Sequence, residues 1–117
     1  MQHFADFLRT ARERRLETDR SFSLRQVAQR AGIEPGYLSK IERGVFPPPS
    51  EQTTRRLAEV LGEDADVLLA MAGKLSSDLQ EIILKRPRLF ADLLRELKNL
   101  PDHAILRVVR EVRDGEW

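Results

Sequence analysis

Apolar residues recur at helical spacing along the chain, and short polar or glycine-containing stretches interrupt them. Near the N-terminus, apolar positions 4, 7, 8, 11 and 16 form one stripe between about His3 and Thr18, opposite a set of arginines. A stripe of this period predicts an amphipathic helix that packs one side on a core. The polar residues from Thr18 to Ser21 predict the end of that helix.

A second helix is predicted to start after Ser23, a favoured N-cap, with Gln26 completing a capping box. Gly32 is suited to end it, because the residue after a helix commonly adopts positive φ. A third helix is predicted to begin near Glu34 and Pro35, since proline at the first helical position sacrifices no hydrogen bond.

Two further helices are predicted before residue 74. One follows Ser50 and stops at Gly62, and the other follows Asp64 and stops at Gly73. The helix after Asp64 is predicted to bury three apolar residues, namely Val67, Leu68 and Met71. The sequence therefore predicts an all-α fold, in which residues 1–73 form a five-helix bundle.

Residues 74–117 have a different pattern, with about three short helices that are each strongly apolar on one side. Such a segment buries too little surface for independent stability, so it is predicted to pack on the bundle or on a second copy. We interpret it as a dimerisation segment; the alternatives are a cap on the bundle and a docking face for another protein. The predicted dimer contacts are Leu93, Leu97, Ile105, Val108, Val109 and Val112.

Composition excludes several classes of protein. The 117 residues are 41% hydrophobic and 33% charged, which fits a helix-rich soluble protein. The absence of cysteine excludes disulfides and cysteine metal sites. No apolar run is long enough for a membrane span and no signal peptide is evident, so a cytoplasmic protein without membrane contact is expected. An enzyme is not expected, because His3 and His103 are far apart and no phosphate loop or carboxylate pair is evident; no cofactor or metal is expected either.

Charge is unevenly distributed, although the net charge is only +1. The stretch from Arg9 to Gly44 carries nine basic and five acidic residues, whereas Glu51 to Asp66 carries two basic and five acidic residues. The first three helices therefore have the positive potential that attracts a polyanion, although a solvated helix face would have the same composition.

The second and third helices, joined at Gly32, match the geometry of a helix-turn-helix. On a helical wheel, Leu38 and Ile41 fall on the inner side of the third helix. Its outer side carries small and cationic residues, namely Gly36, Ser39, Lys40 and Arg43. Side chains of this kind can reach base edges in a major groove.

The run S-L-R-Q-V-A-Q-R-A-G-I-E-P-G-Y-L-S-K-I-E-R-G, followed by a proline-bearing linker and L-A-E-V-L-G-E-D-A-D-V-L-L, resembles the Xre family of lambda-repressor/Cro-type regulators. The resemblance covers about Phe4 to Met71. It implies a bundle whose third helix reads double-stranded DNA, usually as a homodimer on a palindromic operator. We therefore expect a sequence-specific transcriptional repressor.

Position by position, the resemblance implies a base-facing set that consists of Glu34, Pro35, Gly36, Tyr37, Ser39, Lys40 and Arg43. Arg25 and Arg30 are predicted to contact phosphate. Ser23 is predicted to cap its helix, beside backbone N–H groups that can also meet a phosphate. Leu24 departs from the family, because many relatives have glutamine there. Pro35 and Gly36 also depart from it, since neither side chain can hydrogen-bond a base; base selection then depends on Tyr37, Lys40, Arg43 and Glu34. The alternatives are solvation for Arg25 and Arg30, and a core-edge position for Tyr37. Glu42 is interpreted as structural, paired with Arg12 or Arg15.

The segment K-R-P-R-L-F-A-D-L-L-R-E-L-K resembles the tail of short Xre-type repressors. Some of these are inactivated when a metallopeptidase of the ImmA/IrrE type cuts their dimer region, which implies a regulatory protease as a partner. The alternative function is an antitoxin-like or adaptor protein whose C-terminal helices bind another protein.

Overall fold

The computed structural model describes residues 2–117, with side chains from His3 onward. The described residues are all-helical and contain no strand, which confirms the predicted all-α class. The elements are α1 (Gln2–Leu16), a 3₁₀ turn (Arg20–Phe22), α2 (Leu24–Ala31), α3 (Pro35–Glu42), α4 (Glu51–Leu61), α5 (Ala65–Met71), α6 (Ser77–Lys85), α7 (Pro87–Leu97) and α8 (Asp102–Asp114).

The predicted N-caps form, but the capping box at α2 is only half made. The Ser23 hydroxyl accepts a hydrogen bond from the Gln26 N–H at 3.2 Å. The Ser23 N–H, which a capping box would pair with the Gln26 side chain, instead donates to the Arg20 carbonyl at 3.2 Å. The 3₁₀ turn thus satisfies that donor without Gln26.

A glycine at positive φ follows each of the helices α2 to α5. In chain order these are Gly32, Gly44, Gly62 and Gly73. After each glycine, the next N–H donates to the carbonyl five residues earlier, as in a Schellman motif. These ends allow four short helices to stop and reverse within 73 residues.

The core of the bundle lies between α1, α2, α3, α4 and α5 and consists mainly of large apolar side chains. Its fully buried members include Phe4, Leu8, Val27, Leu38, Ile41, Leu57, Leu61 and Leu68. Five of these, Phe4, Leu8, Leu38, Ile41 and Leu68, were predicted from the sequence to face inward.

The predicted inner side of α5 is wrong at one position, because Val67 is 47% exposed while Leu69 is fully buried. The buried side follows the spacing of Ala65, Leu68, Leu69 and Ala72, of which the two alanines are partly buried against the core. A seven-residue helix is too short for its large residues alone to fix which side faces inward.

The chain divides into two compact units, one ending at Ser76 and one running from Ser77 to Trp117. In the second unit α6 packs on α7, yet no residue of α6, α7 or α8 is buried. The functional division predicted between residues 1–73 and 74–117 stays a prediction.

Candidate nucleic-acid interface

Gly32 makes the turn between α2 and α3. Its φ of 75° lies in the left-handed region, where glycine has no Cβ penalty. The Ile33 N–H then donates to the Ala28 carbonyl at 2.9 Å, which closes α2 and directs the chain into α3. Pro35 occupies the first turn of α3, as predicted.

The inner side of α3 buries Leu38, Ile41 and Glu42 against the bundle. Leu38 and Ile41 belong to the common core, and α3 packs on both α1 and α2. A carboxylate in such a position needs a partner, because an unpaired buried charge is strongly unfavourable.

Arg12 of α1 is the partner of Glu42. Its Nε donates to Oε2 of Glu42 at 2.7 Å and its Nη2 donates to Oε1 at 2.9 Å, a two-point pair that is almost fully buried. The hydrogen bond to Glu42 raises the pKa of the Arg12 guanidinium, with burial acting in the opposite direction. Of the two predicted partners, the structure selects Arg12.

Two further bonds tie this pair to its surroundings. Nη1 of Arg12 donates to the Phe22 carbonyl at 3.3 Å, and Nη1 of Arg9 donates to the main-chain carbonyl of Glu42 at 3.4 Å. The last residue of α3 is therefore fixed to α1 by both its side chain and its backbone.

The outer side of α3 is open. Gly36, Lys40 and Arg43 are exposed and Ser39 is partly exposed. A Cβ built on Gly36 would have no heavy atom within 4 Å, so another molecule could approach the first turn of α3 closely. Glu34, the N-cap residue, makes no side-chain capping bond and its carboxylate is exposed.

Phe46 also belongs to this surface, although the sequence interpretation gives it no role beyond the proline-bearing connector that follows Gly44. Its ring centroid lies 4.9 Å from the Lys40 Nζ and 5.9 Å from the Tyr37 ring centroid. The signal was the glycine at 44, which predicts a reversal that returns the next residues over the last turn of α3. Tyr37 is partly buried against the core, so the predicted core-edge alternative describes its position.

The remaining predicted contacts belong to the region around α2. Ser23 is its N-cap and Arg25 is exposed. Arg30 is more constrained, since its Nη2 donates to the Ser21 carbonyl and its guanidinium carbon lies 4.7 Å from the Phe22 ring centroid. Arg15 also lies over Phe22, at 5.4 Å. The structure places Arg25 as the freer of the two predicted α2 cations.

Residues 3–71 match the model of a helix-turn-helix domain family. The chain belongs to this family. The matched residues include the five-helix bundle almost completely and end before α6.

Two curated relatives are uncharacterized HTH-type transcriptional regulators of Mycobacterium tuberculosis, one from strain CDC 1551 / Oshkosh and one from strain ATCC 25618 / H37Rv. Each is 41% identical over 51 residues, which is 44% of this chain and 36% of the relative. The chain thus matches about a third of the length of these proteins. No solved structure matches it significantly.

The predicted dimer contacts lie outside the helix-turn-helix domain, on α7 and α8. Leu93, Val109 and Val112 are exposed, whereas Leu97, Ile105 and Val108 are partly buried. None of the six is fully buried, so all retain apolar surface for a further contact.

Across the part of the chain that the structure describes, no group of three or more His, Cys, Asp and Glu side chains could hold a metal ion. Within residues 2–117, no helix has the length and hydropathy needed to cross a membrane.

Proposed function

We propose that this protein is a transcriptional regulator that binds double-stranded DNA sequence-specifically by inserting α3 into the major groove. The observation that carries the proposal is the two-sided character of α3, with Leu38, Ile41 and Glu42 buried and a polar, cationic side exposed. Membership of the helix-turn-helix family supports it, as does the similarity to HTH-type transcriptional regulators. Both point away from an enzyme.

The exposed side chains suit base recognition. Lys40 and Arg43 can donate to guanine O6 and N7, and Glu34 can accept from cytosine N4. One good pair discriminates against a wrong base by about 1–3 kcal/mol. Pro35 and Gly36 add no hydrogen bond from their side chains, so the remaining selection would come from DNA shape.

We propose further that the regulator acts as a homodimer on a palindromic operator. Ten large apolar residues of the second unit are substantially exposed, namely Ile82, Leu84, Leu89, Leu93, Leu94, Leu100, Leu106, Val109, Val112 and Trp117. A stable dimer typically buries about 800 Å² per partner, and these side chains supply apolar surface for such an interface. Residues 77–117 carry eight basic and eight acidic side chains, so two copies would not repel each other.

In such a dimer, two α3 helices would enter successive major grooves about 34 Å apart. Two weak half-site contacts would then act as one tight contact through effective concentration. We propose repression in the cytoplasm as its mode of action.

Selection from random duplexes tests the proposal, followed by affinity measurements at fixed salt. Lys40→Ala and Arg43→Ala should each weaken binding to the selected duplex about tenfold, within the 1–3 kcal/mol expected of one contact. Arg14→Ala is the matched control, because this exposed arginine lies outside the proposed interface. Unchanged affinity in both α3 variants, or an equal loss in the control, would contradict the assigned surface.

An adaptor function is the second candidate, and the exposed apolar side chains of α6 to α8 favour it. A protein complex through these side chains should be nearly independent of salt, whereas DNA binding should fall steeply as salt rises. Xre-type membership and control by an ImmA/IrrE-type metallopeptidase stay predictions. Incubation with such a peptidase, followed by mapping of any cut within residues 74–117, tests whether the peptidase controls this protein.

A further inference from the structure

Phe46 occupies an unusual place for a large aromatic residue. It is 39% exposed, it lies outside the buried core cluster, and it comes four residues after the end of α3. Its ring contacts Tyr37, at the edge of the core, with an interplanar angle of 53°, and Lys40, whose ammonium lies 4.9 Å from the ring centroid on the proposed reading surface.

The main chain fixes this arrangement. Gly44, at φ 72°, reverses the chain after α3. The N–H groups of Val45 and Phe46 then both donate to the Lys40 carbonyl, at 2.9 and 3.2 Å. Pro47 follows and restricts the backbone further. The backbone of Phe46 is therefore held against the backbone of Lys40, independent of any ligand.

We infer that Phe46 is a specificity-determining positioning residue, whose ring holds the Lys40 ammonium in place for base recognition. This inference rests on the proposed function and deepens it. Phe46 acts through Lys40 rather than by a hydrogen bond of its own. Tyr37 also contacts the Phe46 ring and keeps it from turning away from Lys40.

The physical reason lies in the flexibility of lysine. A free lysine side chain populates many rotamers and loses that freedom when it contacts a base edge. Attraction between the ammonium and the ring restricts it before DNA arrives. Contacts to phosphate tolerate many side-chain directions, whereas a base contact requires one. Loss of the ring should therefore reduce discrimination between duplexes more than it reduces general DNA affinity.

The test begins on the free full-length chain. In wild type, the Lys40 ε-methylene NMR signals should be shifted upfield by the ring. Phe46→Leu should abolish that shift, while Phe46→Tyr should keep it. An unshifted wild-type signal would overturn the inference, because it would show that the ring does not hold the side chain.

Binding is then measured at one salt concentration, with the duplex selected by the wild-type chain and with a scrambled duplex. Phe46→Leu should lower the affinity ratio between them about three- to tenfold. Phe46→Tyr should retain the wild-type ratio. Val45→Ala is the matched control, because Val45 is 60% exposed in the same connector and has no ring.

A double-mutant cycle separates positioning from direct contact. In a Lys40→Ala background, Phe46→Leu should leave the ratio unchanged, and an undiminished effect there would overturn the role assigned to Lys40. A wild-type chain that selects no duplex would refute the proposed function together with this inference. If the wild-type chain selects a duplex and Phe46→Leu discriminates as well as wild type, this inference alone is refuted.

Phe46→Trp offers a second check, because it keeps an aromatic face. An affinity ratio as low as that of Phe46→Leu would also overturn the inference.

Discussion

The buried pair of Arg12 and Glu42 is the residue-scale feature that sets the position of α3. Each side chain is less than a tenth exposed, and two hydrogen bonds join them. Removal of one partner leaves the other charge buried without compensation, whereas replacement of both by apolar residues can be neutral. The pair therefore contributes more to the placement of α3 than to net stability.

We expect Glu42→Ala to lower the free energy of unfolding by about 3–5 kcal/mol, because it leaves Arg12 unpaired. The double change Arg12→Met with Glu42→Leu should recover most of this loss. Urea unfolding of Glu42→Ala, of the single variants Arg12→Met and Glu42→Leu, and of the double variant measures these losses. Independent, additive losses in the double variant would contradict the pairing.

Asp19 gives a pH-dependent prediction. Its carboxylate accepts hydrogen bonds from the Ser21 hydroxyl and N–H, and these bonds lower its pKa. A depressed folded-state pKa contributes stability that is present above the ordinary value of 3.8 and disappears as pH falls through the folded value. The melting temperature of Asp19→Ala should thus fall below wild type at pH 6 and approach it in strong acid.

Asp19→Asn is the control, since it keeps an acceptor for Ser21 but does not titrate. At pH 6 its melting temperature should lie between those of wild type and Asp19→Ala. A difference between wild type and Asp19→Ala that stays constant down to pH 2 would contradict the assigned carboxylate role.

At the scale of single elements, much of the fold follows from local chemistry. Ser23, Ser50 and Gly62 begin or end helices where the sequence predicted, because caps act on neighbouring backbone groups. The choice of Arg12 over Arg15 as the partner of Glu42 needs the packing of α1 on α3, which spacing alone does not determine. The contact of Phe46 with Lys40 also does not follow from spacing alone, because it depends on the path of the chain after α3.

Two glycines of the helix-turn-helix should respond oppositely to the same substitution. Gly32→Ala puts a Cβ at φ 75° and should cost about 1–2 kcal/mol. Gly36→Ala adds a Cβ in open space within a helix and should stabilise by about 0.5–1 kcal/mol. Thermal unfolding of both variants measures the two changes in stability. Changes of the same sign would mean that the turn and the helix have been assigned wrongly.

At the scale of the whole molecule, the two units differ in how they obtain a core. The unit ending at Ser76 has a buried core that draws on α1 to α5, whereas α6 to α8 bury no residue. The sequence predicted three apolar-sided helices in the second unit. It could not identify what covers them, because helical periodicity shows which side is apolar and not what packs against that side.

Removal of residues 77–117 should leave a folded unit that binds the selected duplex at least a hundredfold more weakly, because the avidity of two linked half-sites is lost. Far-UV circular dichroism checks the fold, analytical ultracentrifugation checks the change from dimer to monomer, and a salt-matched titration measures affinity. Undiminished affinity in the shortened chain would contradict the dimer proposal.

The empty space around Gly36 has an evolutionary consequence. A larger residue there could gain a base contact without disturbing the core, since no heavy atom lies within 4 Å of its Cβ. A larger residue in packed surroundings would also destabilise the fold, because overpacking typically costs about 1–3 kcal/mol. At this position the two effects are separate, so single codon changes could generate a series of regulators with new operator preferences on one unchanged fold.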